Sequence, residues 1–187
     1  KRYETCPYQY KLAHILHIPT KSGPALSFGS TIHNTLQKFY EQIQEKNKIS
    51  QQSLFDITPK KPEPKDPNVI EVPTLEELLT IYTSCWINDW YQSKTQRESY
   101  KKKGEDILKT FYETHTGKWQ VPVTLEGSFK IVVGDSVIRG RIDRIDQKED
   151  GSLEIIDYKT GKTKEKLKAE DKEQLLIYQI ATKTLPA

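Results

Sequence analysis

The chain has 187 residues, of which 35% are hydrophobic and 29% charged, and a net charge of only +3. This length and composition fit one soluble domain, and the small charge excludes an overwhelming basic field. No apolar run approaches the roughly 18 residues that cross a bilayer, and a signal-peptide core is lacking, so we expect a cytoplasmic protein. Two cysteines are too few for a disulfide framework, and the absence of methionine predicts a piece of a longer polypeptide.

Helical patterns dominate the first part of the chain. Residues 1–13 mix aromatic and basic side chains around Pro7, which favours a short helix or turn. In SFGSTIHNTLQKFYEQIQ the apolar residues recur at intervals of three and four, which predicts a helix over about 29–46. This helix would carry His33 in its first turns.

A proline-rich stretch separates this helix from two further predicted helices. Residues 48–73 hold five of the ten prolines, which predicts an extended or mobile insertion. The segment TLEELLTIYTSCWINDWYQ then opens with Thr74 and Glu77 in a capping-box pattern and continues with helical apolar spacing. A third helix is predicted over about 95–115.

Two features of these helices allow a nucleic-acid contact but favour a simpler interpretation. Trp86 and Trp90, four residues apart, would stack on bases, yet aromatic residues at helical spacing more often belong to the core. The run Lys101–Lys103 would touch phosphates, yet such runs are usually a solvated face. Neither feature is assigned to a site.

After Gly117 the apolar period changes from helical to alternating. Three strands are predicted, the second and third joined by the turn signal Asp150-Gly151, and a final helix follows. The strands are VPVTLEGSFKIVV, DSVIRGRIDRID and GSLEIIDYKT, and the helix covers about 170–184. The order predicts an α/β domain in which a β-meander is flanked by helices.

The second and third strands carry two aspartates and a lysine. Asp157 and Lys159 lie two residues apart and share a face if the segment is extended. If QKEDG forms a five-residue hairpin loop, Asp143 faces Ile155 and Asp157 becomes its diagonal neighbour. Because a slip of one residue would send Asp143 to the other face, this inference depends on the turn.

Two adjacent carboxylates repel each other unless a positive group lies between them. A hard divalent cation such as Mg²⁺, held by carboxylates and waters, supplies that charge. Such a cation would acidify a bound water and neutralise charge on a phosphodiester, which is the chemistry of a nuclease. The alternative is that these residues form surface ion pairs along an exposed strand.

Three motifs resemble a known enzyme family. GRIDRID, IIDYKTGK and QLLIY follow one another as in the RecB-type branch of the PD-(D/E)XK nuclease superfamily; the residues that match the family's pattern are Gly140–Arg144, Ile155–Gly161 and Gln174–Tyr178. FGSTIH resembles the family's histidine helix, TLEGSF its glutamate strand, and CPYQYKL its short N-terminal motif. The resemblance implies one nuclease domain over residues 1–187, with a restriction-endonuclease-like α/β core and a mixed β-sheet.

The resemblance also implies roles for particular residues. The metal ligands would be His33, Asp143, Asp157 and the main-chain carbonyl of Tyr158. The catalytic residues would be Asp143, Asp157, Lys159 and Glu126. The residues near the nucleic acid would be Gln174, Tyr178 and Arg144, with Gln174 and Tyr178 either contacting it or bracing the site.

Two of these assignments have structural alternatives. A helix histidine such as His33, taken alone, is more often hydrogen-bonded in a core. Glu126, near the centre of a strand, would equally pair with Arg139 or Arg141. Both alternatives concern contacts that the sequence does not determine.

The expected function is hydrolysis of DNA phosphodiesters, of exonuclease type, with Mg²⁺ or Mn²⁺. The resemblance implies a setting in DNA repair or recombination, with a helicase in the same chain or as a partner. The rival interpretations are a non-catalytic DNA-binding or scaffolding module and an RNA-directed nuclease. An iron–sulfur cluster is not expected, because Cys6 is not followed by the three C-terminal cysteines that such a cluster needs.

Overall fold

The computed structural model describes residues 2–18, 22–52, 69–148, 150–161 and 169–182. Short helical turns open the chain, long helices follow, and the three strands precede the last helix. In chain order they are α1 (Arg2–Thr5), α2 (Pro7–Tyr10), a π-helical turn (Lys11–Ile15), α3 (Pro24–Gln52), α4 (Leu75–Cys85), α5 (Lys94–His115), β1 (Thr124–Val133), β2 (Ser136–Gln147), β3 (Leu153–Ile156) and α6 (Ala169–Thr182). No helix in these ranges is long and apolar enough to cross a membrane.

The first long helix extends beyond its predicted bounds. Helix α3 begins at Pro24 and reaches Gln52, so it covers the first residues of the predicted insertion. The end of that insertion is also tied to the fold, because the Asn47 amide bonds the backbone of Glu71 at 3.0 and 3.1 Å. The insertion is therefore narrower than 48–73, and its centre, residues 53–68, lies outside the described residues.

The larger of two apolar cores lies among α3, α4 and α5. Its buried members share the helical spacing seen in the sequence. They are Phe28, Ile32, Leu36, Phe39, Tyr40 and Ile43 of α3, Leu78, Ile81, Tyr82 and Cys85 of α4, and Leu108 of α5. Gly104 lets α5 approach α4, since a Cβ there would lie 2.1 Å from the Tyr82 hydroxyl oxygen.

Helix α4 begins as predicted and ends earlier. Thr74 and Glu77 form the capping box, with both reciprocal hydrogen bonds present. The helix ends at Cys85, and Trp86 already has extended backbone angles. Trp86 packs against the core, but the Trp90 side chain is 46% exposed, so the prediction that both tryptophans lie in the core is wrong for Trp90.

The sheet confirms the predicted meander. Its order is β1-β2-β3, both strand pairs are antiparallel, and α6 packs against it through Tyr178 and Ala181. The mixed α/β architecture agrees with a restriction-endonuclease-like fold. Among the described residues, only antiparallel strand pairs occur.

The register between β2 and β3 differs from the predicted one by two residues. Ile145, not Asp143, faces Ile155. The loop closes through a 2.9 Å hydrogen bond from the Lys148 N–H to the Ser152 carbonyl. Because side chains alternate with a period of two, a shift of two residues leaves each side chain on the face that was predicted for it. Continued by one residue past β3, the observed register sets Asp143 directly across from Asp157.

Candidate metal and active site

Strand β2 brings its central aspartate opposite a glutamate of β1. Leu125 pairs with Arg144 and Gly127 with Ile142, so Glu126 lies across from Asp143. Glu126 has φ of 49°, a left-handed conformation that is uncommon for a residue with a side chain. Such conformations persist where the surrounding structure imposes them, often at functional sites.

Helix α3 adds a histidine to these two carboxylates. The His33 Nδ1 atom lies 3.5 Å from the Asp143 Oδ1 atom, and both side chains are partly buried. One ligand atom each of His33, Glu126 and Asp143 lie within 4.8 Å of one another. Since His33 and Glu126 are far apart in sequence, only the packing of α3 beside the sheet creates this cluster.

Hydrogen bonding shifts the acidity of the pair His33 and Asp143. The hydrogen bond to Asp143 raises the pKa of His33; burial opposes this, while the Asp143 charge and a backbone hydrogen bond to Tyr158 add to it. Burial alone would raise the pKa of Asp143, but hydrogen bonds from His33 and the Tyr158 N–H outweigh it and lower that pKa. The Tyr158 N–H donates to the Asp143 Oδ2 atom at 2.7 Å.

Asp157 and Lys159 form an ion pair next to this cluster. The Lys159 Nζ atom lies 2.6 Å from the Asp157 Oδ2 atom, and the lysine side chain is 64% exposed. The three-residue ligand cluster contains Glu126, for which the resemblance implied a catalytic role but no metal contact. The cluster does not contain Asp157, for which the resemblance implied a metal contact. Glu126 is also paired with Arg141 at 3.3 Å, one of the two partners named from the sequence.

The last helix supports Asp157 through two polar side chains. The Tyr178 hydroxyl donates to the Asp157 Oδ1 atom at 3.2 Å, and the Gln174 amide donates to the Tyr178 oxygen at 2.6 Å. Tyr178 is buried, and burial raises its pKa. Of the two roles expected from the sequence for Gln174 and Tyr178, this geometry favours bracing the site over contacting nucleic acid.

Arg144 lies in the core, contrary to the expected contact with nucleic acid. Its Nε atom donates to the Asp146 Oδ1 atom at 2.8 Å, and Nη2 forms a second, shorter bond to Asp146. Its Nη1 atom donates to the Tyr158 hydroxyl at 3.2 Å, and the guanidinium lies 4.0 Å from the Tyr40 ring centroid. These contacts occupy the guanidinium, so Arg144 supports Tyr158 from within. The spacing of Arg144 and Asp146, two residues apart on a strand, is a signal that could have revealed this pair.

The donor set of the cluster fits a divalent cation. Two carboxylates and one imidazole supply oxygen and nitrogen ligands, and the partial exposure of the side chains leaves room for waters. Among the described residues, no lysine or arginine forms an ion pair with Asp143; its charge is met by the Tyr158 N–H, by Lys159 from farther away and by the imidazole proton of His33. The cluster can exchange that proton for a metal ion.

A three-strand antiparallel sheet flanked by helices, with acidic side chains converging beside a lysine, is the architecture of a metal-dependent nuclease fold. The family model described as the PD-(D/E)XK nuclease superfamily matches residues 1–187, and the chain belongs to that superfamily. A search of curated proteins found no significant match.

Proposed function

We propose that this protein is a metal-dependent deoxyribonuclease that hydrolyses phosphodiester bonds in an exonuclease mode. The observation that carries the proposal is the convergence of His33, Glu126 and Asp143 within 4.8 Å, next to the ion pair of Asp157 and Lys159. Membership of a nuclease superfamily supports the same conclusion. Plain surface ion pairs account for Glu126 with Arg141 and for Asp157 with Lys159, but they do not explain why Glu126 and Asp143 converge on one histidine.

The proposed metal ligands are His33, Glu126 and Asp143. We keep Asp157 as a further ligand because the strand register sets it across from Asp143. We keep the Tyr158 carbonyl because the Tyr158 backbone forms a hydrogen bond with His33. A bound Mg²⁺ or Mn²⁺ would supply positive charge at the scissile phosphate and lower the pKa of water. Asp143 is held in place for this task by the Tyr158 N–H.

Lys159 is the proposed catalytic lysine. Its exposed ammonium group, oriented by Asp157, is available to a nucleophilic water and to negative charge that develops on the phosphate. Tyr178 and Gln174 are positioning residues, since they fix the Asp157 carboxylate through a chain of hydrogen bonds. Arg144 is left out of the nucleic-acid contacts because it is buried.

The wider setting rests on the resemblance to RecB-type nucleases. The motifs GRIDRID, IIDYKTGK and QLLIY occur in the order of that branch. On this basis we propose DNA as the substrate, a role in DNA repair or recombination in the cytoplasm, and a helicase in the same chain or as a partner.

Cleavage of labelled DNA tests the proposal directly. Single-stranded DNA, duplex DNA and matched RNA are incubated with Mg²⁺, Mn²⁺ or EDTA, and wild type is compared with Asp143→Asn and Lys159→Ala. Asp135→Asn, in the exposed turn between β1 and β2, is the matched control for the loss of a carboxylate. Metal-dependent cleavage of DNA that both site variants lose and the control keeps is expected.

Two other outcomes would contradict the proposal. Binding of DNA without cleavage under either metal would favour the scaffolding module. Cleavage of RNA in preference to DNA would make the protein a ribonuclease.

A further inference from the structure

The segment between α4 and α5 presents one tryptophan to solvent in a strained conformation. Trp90 has φ of 69° and is 46% exposed, while its neighbour Tyr91 turns inward and stacks on Trp86 with ring centroids 5.5 Å apart. A bulky residue with positive φ is an outlier that costs free energy. The fold therefore maintains an exposed indole at a position where glycine would be easier to accommodate.

This segment is fixed to the helix that carries His33. The Ser27 hydroxyl donates to the Asp89 carbonyl at 2.7 Å, and the Ile87 N–H donates to the Thr31 hydroxyl at 3.2 Å. Ser27 and Thr31 lie in the turns of α3 that precede His33. The position of Trp90 is thus coupled to the same helix as the metal site.

A basic ridge on α5 continues from this segment. The first ten residues of α5 contain five cationic side chains and one acidic residue, Glu98, which pairs with Lys94 at 3.8 Å. The cationic residues are Lys94, Arg97, Lys101, Lys102 and Lys103. Within the described part of the chain, Lys101, Lys102 and Lys103 have no ion-pair partner.

Aromatic rings connect Trp90 to this ridge. Tyr91 contacts Tyr100 with ring centroids 5.6 Å apart. The Lys103 Nζ atom lies 6.0 Å from the Tyr100 centroid and 5.6 Å from that of Phe28. These contacts place the segment of Trp90 next to the part of α5 that carries the lysines, and the buried Phe28 joins that part to α3.

The other side of the same α3 turn touches the catalytic segment. Gly29 follows Phe28, and a Cβ at Gly29 would lie 3.4 Å from the Thr160 hydroxyl oxygen. Thr160 follows Lys159 in the chain. The ridge and the active site are thus separated by the first turns of one helix.

We propose that Trp90 and the lysines Lys101–Lys103 form a binding surface for a single nucleic-acid strand that leads into the active site. Trp90 stacks on an unpaired base, which a tryptophan does with any base, and the lysines contact the phosphates on either side. A duplex offers no unpaired base face to the indole, so the surface selects single strands. This inference rests on the proposed function, because the strand is taken to continue to the metal site.

Binding without metal tests the surface separately from catalysis. The affinity of the full chain for fluorescein-labelled oligothymidylate and for a duplex of equal length is measured by anisotropy in EDTA. Wild type is expected to bind the single strand more tightly. Trp90→Ala is expected to weaken single-strand binding by roughly 5- to 150-fold, the range measured for one base–aromatic stack, and Trp90→Phe to restore part of it.

Trp90→Gly separates binding from stability. Glycine accepts positive φ without strain, so this variant is expected to melt at the same temperature as wild type or higher, while its affinity falls like that of Trp90→Ala. A lower melting temperature together with unchanged affinity would overturn the inference, because the indole would then serve only the fold.

The salt dependence tests the lysines. The variant Lys102→Ala/Lys103→Ala is expected to reduce the slope of log affinity against log salt by about 1.4, two phosphate contacts at about 0.7 each. Lys118→Ala/Lys130→Ala, which removes the same charge outside the ridge, is expected to leave the slope near that of wild type. Equal slopes for both double variants would overturn the inference.

The failure of this surface and the failure of the proposed nuclease are distinguishable. If wild type cleaves DNA but shows no preference for single strands, and the Trp90 variants keep its affinity, the surface is wrong and the nuclease stands. If no metal supports cleavage but binding in EDTA depends on Trp90 and the ridge, the surface stands and the nuclease is wrong.

Discussion

Strand β2 carries two polar regions that begin at consecutive residues and behave in opposite ways. The first, here the arginine network, joins Arg144 and Asp146 with the Tyr40 ring and the Tyr158 hydroxyl. The second, here the carboxylate site, comprises His33, Glu126 and Asp143. Both contact α3, the first through Tyr40 and the second through His33.

The arginine network is closed. The Arg144 and Asp146 side chains are only 7% and 1% exposed, and hydrogen bonds to Asp146 raise the pKa of Arg144 although burial alone would lower it. Burial raises the pKa of Tyr158 to about 12. A charge buried with such partners stabilises one arrangement of the fold and leaves nothing to bind a ligand.

The carboxylate site is open. Glu126 and Asp143 are acceptors only, and within the described ranges the groups that contact them are the His33 imidazole, the Tyr158 N–H and the exposed Arg141. The comparison shows that burial of charge by itself does not mark function. In the proposed site, by contrast, the carboxylate oxygens outnumber the donors that the described residues direct at them.

The largest expected effect comes from removing an acceptor of the open site. Asp143→Asn should lower cleavage roughly a thousandfold, since a divalent cation contributes several kcal/mol to the transition state. Mn²⁺ is expected to raise the melting temperature of wild type, and Asp143→Asn should abolish this rise. Calorimetry with and without Mn²⁺ measures this; an unchanged Mn²⁺ shift would place the metal elsewhere.

Breaking the closed network should affect stability instead. Arg144→Met leaves Asp146 buried and unpaired, which costs about 3–5 kcal/mol. Urea unfolding measures the loss, with the exposed Arg139→Met as the matched control. Arg144→Met/Asp146→Leu, which removes both charges, should recover much of it, and a double variant as unstable as the single one would contradict this explanation.

Loosening the brace on Asp157 should reduce catalysis without unfolding the protein. Tyr178→Phe keeps the buried ring and removes only the hydroxyl that reaches Asp157, so we expect a 10- to 100-fold loss of kcat, the range for residues that orient ligands. KM for DNA and the melting temperature should change little. A change in KM alone would show that Tyr178 contacts the substrate.

The pH dependence of metal binding should show the smallest of these effects. The pKa of His33 is raised above 6.5, so the imidazole is protonated below that raised value and must lose a proton to bind metal. Mn²⁺ affinity should therefore rise with pH and level off above the raised pKa. Isothermal titration from pH 5.5 to 8.5, roughly the range of histidine titration, measures it.

The same proton links pH to stability without metal. Because the folded pKa lies above the unfolded value, the protonated pair of His33 and Asp143 stabilises the protein below pH 6.5, and this contribution is lost as pH rises through the folded pKa. His33→Gln should flatten both profiles. A His33→Gln profile that keeps the wild-type slope would assign the proton to another group.

The sequence alone determined the elements, their order and the motif positions. Helical spacing predicted α3, α4 and α5, the pair Thr74 and Glu77 predicted the start of α4, and alternation predicted the three strands. These signals are local, because the period of apolar residues depends only on the geometry of each element. The superfamily was expected from a resemblance of short motifs, and the match of the family model confirms it.

Only the tertiary structure decided which side chains meet. The hairpin register moved by two residues because the loop closes between Lys148 and Ser152, and this set Asp143 across from Asp157. Packing of α3 beside the sheet brought His33 to the carboxylates and, two turns further, Tyr40 to Arg144. Such contacts join residues far apart in the chain. Neither periodicity nor spacing therefore shows that Arg144 is buried with a partner while the neighbouring Asp143 joins the partly exposed carboxylate site.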